Sequence, residues 1–167
     1  MEDNMIAYIW AQDARGTIGK NGTLPWHLPD DLKFFKDQTR DQIVVMGRKT
    51  FTGMGERPLP KRVNVVLTRQ ANFTAPAGVH VLHDKAAVLA FGAAHPEQHL
   101  MIIGGAEIYR LFADVVDTLY VTRLAGTFAG DTQMAALPWA DFTRTTARTV
   151  VNADPALTHT FETWQRK

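Results

Sequence analysis

Cysteine is missing from this chain, which excludes disulfide staples, thiolate metal ligands and a thiol nucleophile. Charge of one sign is also missing, since 18 Lys and Arg against 17 Asp and Glu leave a formal net charge of +1. That balance offers nothing to attract nucleic acid or a membrane surface. No apolar run approaches the ~20 residues of a membrane span, and the start Met1-Glu2-Asp3-Asn4 lacks the basic region of a secretion signal. A cytoplasmic location is therefore expected. The six histidines include no His-Glu-x-x-His spacing, and no Gly-x-Ser-x-Gly elbow or complete Gly-x-Gly-x-x-Gly fingerprint occurs. Metal-assisted hydrolysis and Ser catalysis have no support, and no metal is expected.

What is present describes an ordinary soluble domain, with 46% hydrophobic and 21% charged residues. A length of 167 residues suits one domain, 1–167, large enough for a sizeable core. The informative stretch runs Pro25-Trp26-His27-Leu28-Pro29-Asp30-Asp31-Leu32-Lys33-Phe34-Phe35. Pro29 suits the first turn of a helix, where its absent N–H is not missed. At 100° per residue, Leu28, Leu32 and Phe35 form an apolar arc with Phe34 on its flank, and Asp31 falls inside it. Asp30 takes the opposite, watery side. A carboxylate among apolar groups costs several kcal/mol unless it is paired or protonated. Asp31 thus reads as a pocket acid that hydrogen-bonds a cationic or amidine-like ligand, with aromatic and Leu side chains to hold a flat ring. His27 reads as a loop-surface residue rather than a general base.

Strands are expected at residues 5–11, 42–46, 63–68, 79–82, 100–103 and 117–124, with helices from Pro29, at 47–54, 86–94 and 106–113. Residues 142–151 and 159–165 form an antiparallel pair. The implied fold is α/β, a mostly parallel central sheet with helices on both faces and an antiparallel C-terminal edge. Residues 12–28 form a Gly-punctuated loop with a hairpin at Lys20-Asn21-Gly22, anchored by Ile18 and Trp26. Three strand ends look like phosphate sites: Gly47-Arg48-Lys49-Thr50 and Gly104-Gly105-Ala106 open helices, and Thr68-Arg69 closes a strand. One inward acid beside nucleotide-type junctions suits hydride transfer, in which a bound cofactor carries the hard chemistry.

These residues resemble the dihydrofolate reductase family, of the bacterial single-domain type, along essentially the whole chain. The likeness lies in Ile18-Gly19, Leu24 to Leu32, Phe35, Met46 to Thr50, Arg57 to Pro60 with Arg62, Ile103-Gly104-Gly105, Tyr109 and Gly130-Asp131-Thr132. The resemblance implies NADPH-dependent reduction of 7,8-dihydrofolate to tetrahydrofolate, in support of one-carbon metabolism, and binding of antifolate-type molecules. A monomer is the default expectation; the resemblance implies Asp31 and Trp26 as catalytic residues, and Asp31 bound to the 2-amino group and N3 of the pterin. Ala11, Leu28, Phe35, Leu59, Arg62, Ile103 and Thr122 would complete the substrate site, with Arg62 on the glutamate α-carboxylate. Ala11, Ile18, Gly19, Thr50 and Tyr109 would surround the nicotinamide, and Arg48, Thr68 and Arg69 would take the 2′-phosphate. Lys49 and Gly104, Gly105, Ala106 and Glu107 would follow the pyrophosphate, with Gly47, Ile103 and Ile108 completing the cofactor site. It also implies a cis Gly104–Gly105 bond.

Three departures stand out. An extra residue lies in Gly55-Glu56-Arg57, which makes Arg57 a second candidate carboxylate partner; Arg69 replaces the Ser of several relatives, and 13–16 differs from many of them. Two alternatives remain open from sequence: a pyrimidine reductase of the same fold, which should lack the Asp31 and Arg62 combination, and a noncatalytic nucleotide-binding module.

Overall fold

The chain is described by a computed structural model that covers residues 5–167. Runs of Val, Ile and Leu too short for a helix and apolar at consecutive positions give central strands covered on both faces. They are β1 (Ile6–Gln12), β3 (Ile43–Gly47), β4 (Val63–Leu67) and β6 (Leu100–Gly104). With β5 (Val79–Leu82), β7 (Thr118–Leu124), β9 (Phe142–Val150) and β10 (His159–Arg166) they make an eight-stranded sheet of order β5-β4-β3-β6-β1-β7-β10-β9. All pairings from β5 to β7 are parallel, and β10 runs antiparallel to both β7 and β9. The C-terminal strand is therefore inserted beside β7, and β9 takes the edge. Strand β9 is exposed along most of its length, and its Thr residues keep it extended while Arg144 and Arg148 guard the edge.

Alternate residues of the central strands feed two cores. On one face Tyr8, Val45, Val65 and Ile102 pack with Val88, Ile108 and Phe112 from α3 (Lys85–Ala93) and the region of α4 (Ala106–Leu111). On the other, Ile9, Val44, Val66 and Met101 pack with Phe51 from α2 (Arg48–Gly53) and with Phe34 and Phe35 from α1 (Pro29–Thr39). Helices thus cover both faces, as the alternating pattern implies. Among the described residues no helix is long and apolar enough to cross a membrane.

Two short strands were not legible as strands. β2 (Thr17–Gly19) pairs antiparallel with β8 (Thr132–Gln133), so the loop 12–28 is tied to the segment after β7. The hairpin at Lys20 is present: Lys20 and Thr23 exchange backbone hydrogen bonds of 2.7 and 3.0 Å around Asn21 and Gly22, both at positive φ. Gly130 makes the β2–β8 approach possible, because a Cβ there would lie 2.3 Å from Thr17 Cγ2 and 2.7 Å from Gly19 O. Replacing Gly130 with Ala should therefore separate these strands while sparing the main sheet. The expected result is loss of amide hydrogen-exchange protection at residues 17–19 and 132–133, with β1, β3 and β6 unchanged.

Candidate active site

Helix α1 starts at Pro29 without a side-chain cap, with Asp30 and Asp31 in its first turn. Asp31 is half-buried, and its Oδ1 accepts a hydrogen bond of 2.7 Å from the Thr122 hydroxyl of β7. Burial pushes the Asp31 carboxyl above the ordinary carboxylate range; the Thr122 bond and the charge of His159 act against that, and Asp30 adds to it. A cavity of about 220 Å³ opens here, lined by Leu24, Trp26, His27, Leu28, Asp31 and Leu32. Trp26 and Leu28 are buried with Ala11 and Leu124, and the Trp26 ring lies 5.3 Å from that of Phe128. Trp26 Nε1 is buried and donates to no acceptor among the described residues. A water or ligand atom would satisfy it.

Two expectations for this helix need correction. Leu32 is 48% exposed and stands at the cavity mouth instead of in the core, because at this end the helix rests on the sheet through Phe34 and Phe35. Asp30 does not simply face water: its Oδ2 lies 2.6 Å from Nε2 of the buried His159. A helical wheel has no knowledge of the strand that approaches its outer rim. His27 is exposed, in line with the surface reading.

The remaining substrate-side candidates lie further along the same face. Phe35, Leu59 and Ile103 are partly buried against one core cluster, and the Arg62 guanidinium sits 5.9 Å from the Phe35 ring centroid. Arg62 Nε donates to Thr39 Oγ1 at 2.9 Å and Nη1 to Pro60 O at 3.2 Å, while Arg57 is exposed. Sequence reasoning missed what holds this loop. Asn64, buried in β4, accepts from Leu59 N at 2.9 Å and donates to Leu59 O and Arg62 O at 2.9 and 3.1 Å. A polar residue inside an apolar strand was the available signal.

The cofactor-side candidates meet at the carboxyl ends of β4, β3 and β6, which are sheet neighbours. Gly47 precedes α2 and Gly105 precedes α4, neither helix having a side-chain cap. The two junctions touch: a Cβ on Gly47 would lie 3.1 Å from Ile108 Cγ1, and one on Gly105 would lie 3.4 Å from Thr50 Oγ1. The Gly104–Gly105 peptide is cis. Arg48 is half-buried, Lys49 and Arg69 are exposed, and none of the three has an acidic partner among the described residues. Thr68 is buried, its Oγ1 accepting from Gln70 N at 3.1 Å. Ala106 and Glu107 occupy the first turn of α4, and Tyr109 is buried below it with its hydroxyl donating to Ile9 O at 3.1 Å. Ile18 and Gly19 lie on β2, beside the loop that carries Trp26. Asp13 organises that loop, accepting from Arg15 N, Thr17 N and Phe128 N at 2.9, 2.8 and 2.8 Å. Burial alone would raise its pKa, but these backbone bonds outweigh it and hold the carboxyl low.

A family model described as dihydrofolate reductase matches residues 5–166. The chain belongs to the dihydrofolate reductase family. The dihydrofolate reductase of Enterococcus faecium is 37% identical over 163 residues, covering 97% of each chain. That of Lactococcus lactis is 41% identical over 130 residues, 77% of this chain and 76% of the relative. A solved structure of the dihydrofolate reductase from Enterococcus faecalis, complexed with NADP(H) and RAB-propyl, superimposes with a TM-score of 0.90 at 41% identity, covering 98% of this chain and 96% of that one. The family's shared fold thus extends over the sheet, both junctions and the Asp31 cavity.

The Asp31 pKa shift has a stability consequence of definite sign. An acid whose folded-state pKa is raised opposes folding at pH above that value and has no such effect below its unfolded value. Replacing Asp31 with Asn should therefore raise the melting temperature of the ligand-free protein at neutral pH. Thermal unfolding across a pH series should show this gain shrinking as pH falls through the raised folded-state value of Asp31, and gone below about 4.

Proposed function

We propose that this chain reduces 7,8-dihydrofolate to 5,6,7,8-tetrahydrofolate, with Asp31 as the acid that binds and polarises the pterin. The observation that carries the reading is the half-buried Asp31 carboxylate in the cavity wall, held by Thr122 and surrounded by Trp26, Leu28 and Leu32. NADPH, when bound, supplies the hydride that passes to C6 while a proton is added at N5. The chain's own residues do the rest. Asp31 accepts from the 2-amino group and N3 of the ring, and its negative charge favours protonation of the bound pterin through water. Leu28, Phe35, Leu59 and Ile103 exclude solvent from the ring, and Thr122 fixes the carboxylate's orientation. Trp26 supports the same acid from the loop, with its buried Nε1 available to an ordered water.

Arg62 takes the glutamate α-carboxylate. Its burial and the nearby charge of Arg40 both disfavour a bare cation there, and an anion relieves this. The residues present also fit the cofactor. Arg48 and Arg69, without an acidic partner among the described residues, suit with Thr68 a 2′-phosphate, and Lys49 with Gly104, Gly105, Ala106 and Glu107 suits a pyrophosphate approaching closely packed backbone. Ala11, Ile18, Gly19, Thr50 and Tyr109 would enclose the nicotinamide, with Ile103 and Ile108 completing the cofactor site, and Gly47 leaves space at the junction. We assign this activity to one domain, 1–167, acting as a cytoplasmic monomer that also accepts antifolate-type ligands.

The direct test follows NADPH absorbance with and without dihydrofolate; dihydrofolate-dependent oxidation is expected, and its absence would reject the reading. Replacing Asp31 with Asn should lower kcat/KM at neutral pH by at least about 100-fold. Exchanging Arg48 for Gln should weaken NADPH far more than NADH, measured by titrating each cofactor, because only the former carries the 2′-phosphate.

A further inference from the structure

The reaction just described uses Asp31 and has no task for the carboxylate next to it. Asp30 Oδ2 lies 2.6 Å from His159 Nε2, and the other ring nitrogen, Nδ1, lies 2.7 Å from Leu157 O. The imidazole is 1% exposed and the Asp30 side chain 45%. A carbonyl and a carboxylate are both acceptors, so an imidazole with a single N–H serves one of them and turns a lone pair to the other. The geometry is satisfied when one further proton is held between Nε2 and Oδ2. Whichever atom carries it, the Asp30–His159 unit is neutral overall.

The surrounding charges are few. On α1 the unit faces Asp31. From β9, Arg148 lies 4.8 Å from the ring centroid of Phe161, which in turn meets the His159 ring edge-on at 5.1 Å. From β7, Arg123 is occupied with Glu162 at 2.8 Å, and Asp154 in the preceding connection accepts from Ala156 N. No other acid contacts His159 among the described residues. Without its partner, Asp30 would be a second negative charge beside the pocket acid, and adjacent carboxylates resist sharing ionisation.

We propose that His159 is a positioning residue that neutralises Asp30 from inside the protein, so that Asp31 is the single uncompensated acid offered to the substrate ring. The proposal rests on the role given to Asp31 above. It explains how two neighbouring acids occupy the first turn of α1 while one alone addresses the ligand. It also gives the buried end of β10 a part in the chemistry, although His159 does not line the Asp31 cavity.

The test is the pH dependence of dihydrofolate-dependent NADPH oxidation for the parent, His159→Gln, Asp30→Asn, the double variant and Asp31→Asn, each checked for folding by thermal unfolding. His159→Gln is expected to move the midpoint of the kcat/KM profile upward by about half a pH unit or more, through the exposed charge of Asp30. The double variant should return to the midpoint of Asp30→Asn alone. A midpoint unmoved in His159→Gln, or displaced equally when Asn occupies position 30, overturns the proposal. If His159→Gln does not fold, nitrogen NMR of the parent's His159 ring decides: both ring nitrogens protonated at pH 7, or Nδ1 protonated with Nε2 sharing a proton with Asp30, supports the pair, and a ring with a bare lone pair on Nδ1 or an unshared one on Nε2 overturns it. Parental activity in Asp31→Asn would instead refute the functional reading.

Discussion

The arrangement of this protein depends on keeping one carboxylate half out of water. Asp31 is held by a single hydroxyl, Thr122, in a wall made otherwise of Trp26, Leu28 and Leu32. A group so placed is less comfortable in the folded chain than in solvent, and the fold tolerates it because the discomfort is local. The two cores on either face of the sheet are continuous, apolar and independent of it. Stability is supplied by the Val- and Ile-rich strands, and the pocket spends a small part of it to keep the Asp31 carboxylate half out of water.

The second constraint is topological. Placing β4, β3 and β6 side by side and parallel brings three strand ends to one rim. Gly47 and Gly105 let the backbones of the two helix starts approach until Ile108 and Thr50 nearly fill the space. Cations at 48, 49 and 69 thereby stand at the same rim as the two helix starts, and among the described residues none is paired with a carboxylate. The same parallel order sets β1 between β6 and β7, so that Ala11 and Thr122, partners in the sheet, stand between the two halves of the site.

Much of this was legible from residues alone, for reasons that differ by element. Apolar runs at consecutive positions identified the central strands, and the inward turn of Asp31 followed from helical spacing. Leu32 was misplaced because the wheel treats the helix as wholly seated on a core, whereas its first turn overhangs a cavity. β2 and β8 escaped notice because two or three residues carry no periodicity, and their pairing spans over a hundred residues of chain. The His159 contact with Asp30 was hidden for the same reason, since it spans 129 positions; the Asn64 clamp on the Leu59–Arg62 loop is local, and its signal, a polar residue inside an apolar strand, was passed over. The cis Gly104–Gly105 bond was legible only through family likeness.

Strand β10 has a consequence for the order in which the molecule is completed. Its seat beside β7 brings His159 to Asp30 across 129 positions, and Thr122 reaches Asp31 across 91. The acid-bearing helix is thus made early, while the groups that settle its two carboxylates arrive with the final strands. Without the later strands β3 can pair with β4, but β1 waits for β6 and β7, its sheet neighbours, and the pocket lacks Thr122 and His159. The surroundings of the two carboxylates are complete only once β7 and β10 are in place, so copies lacking those strands would hold the acids of α1 without the groups that close around them.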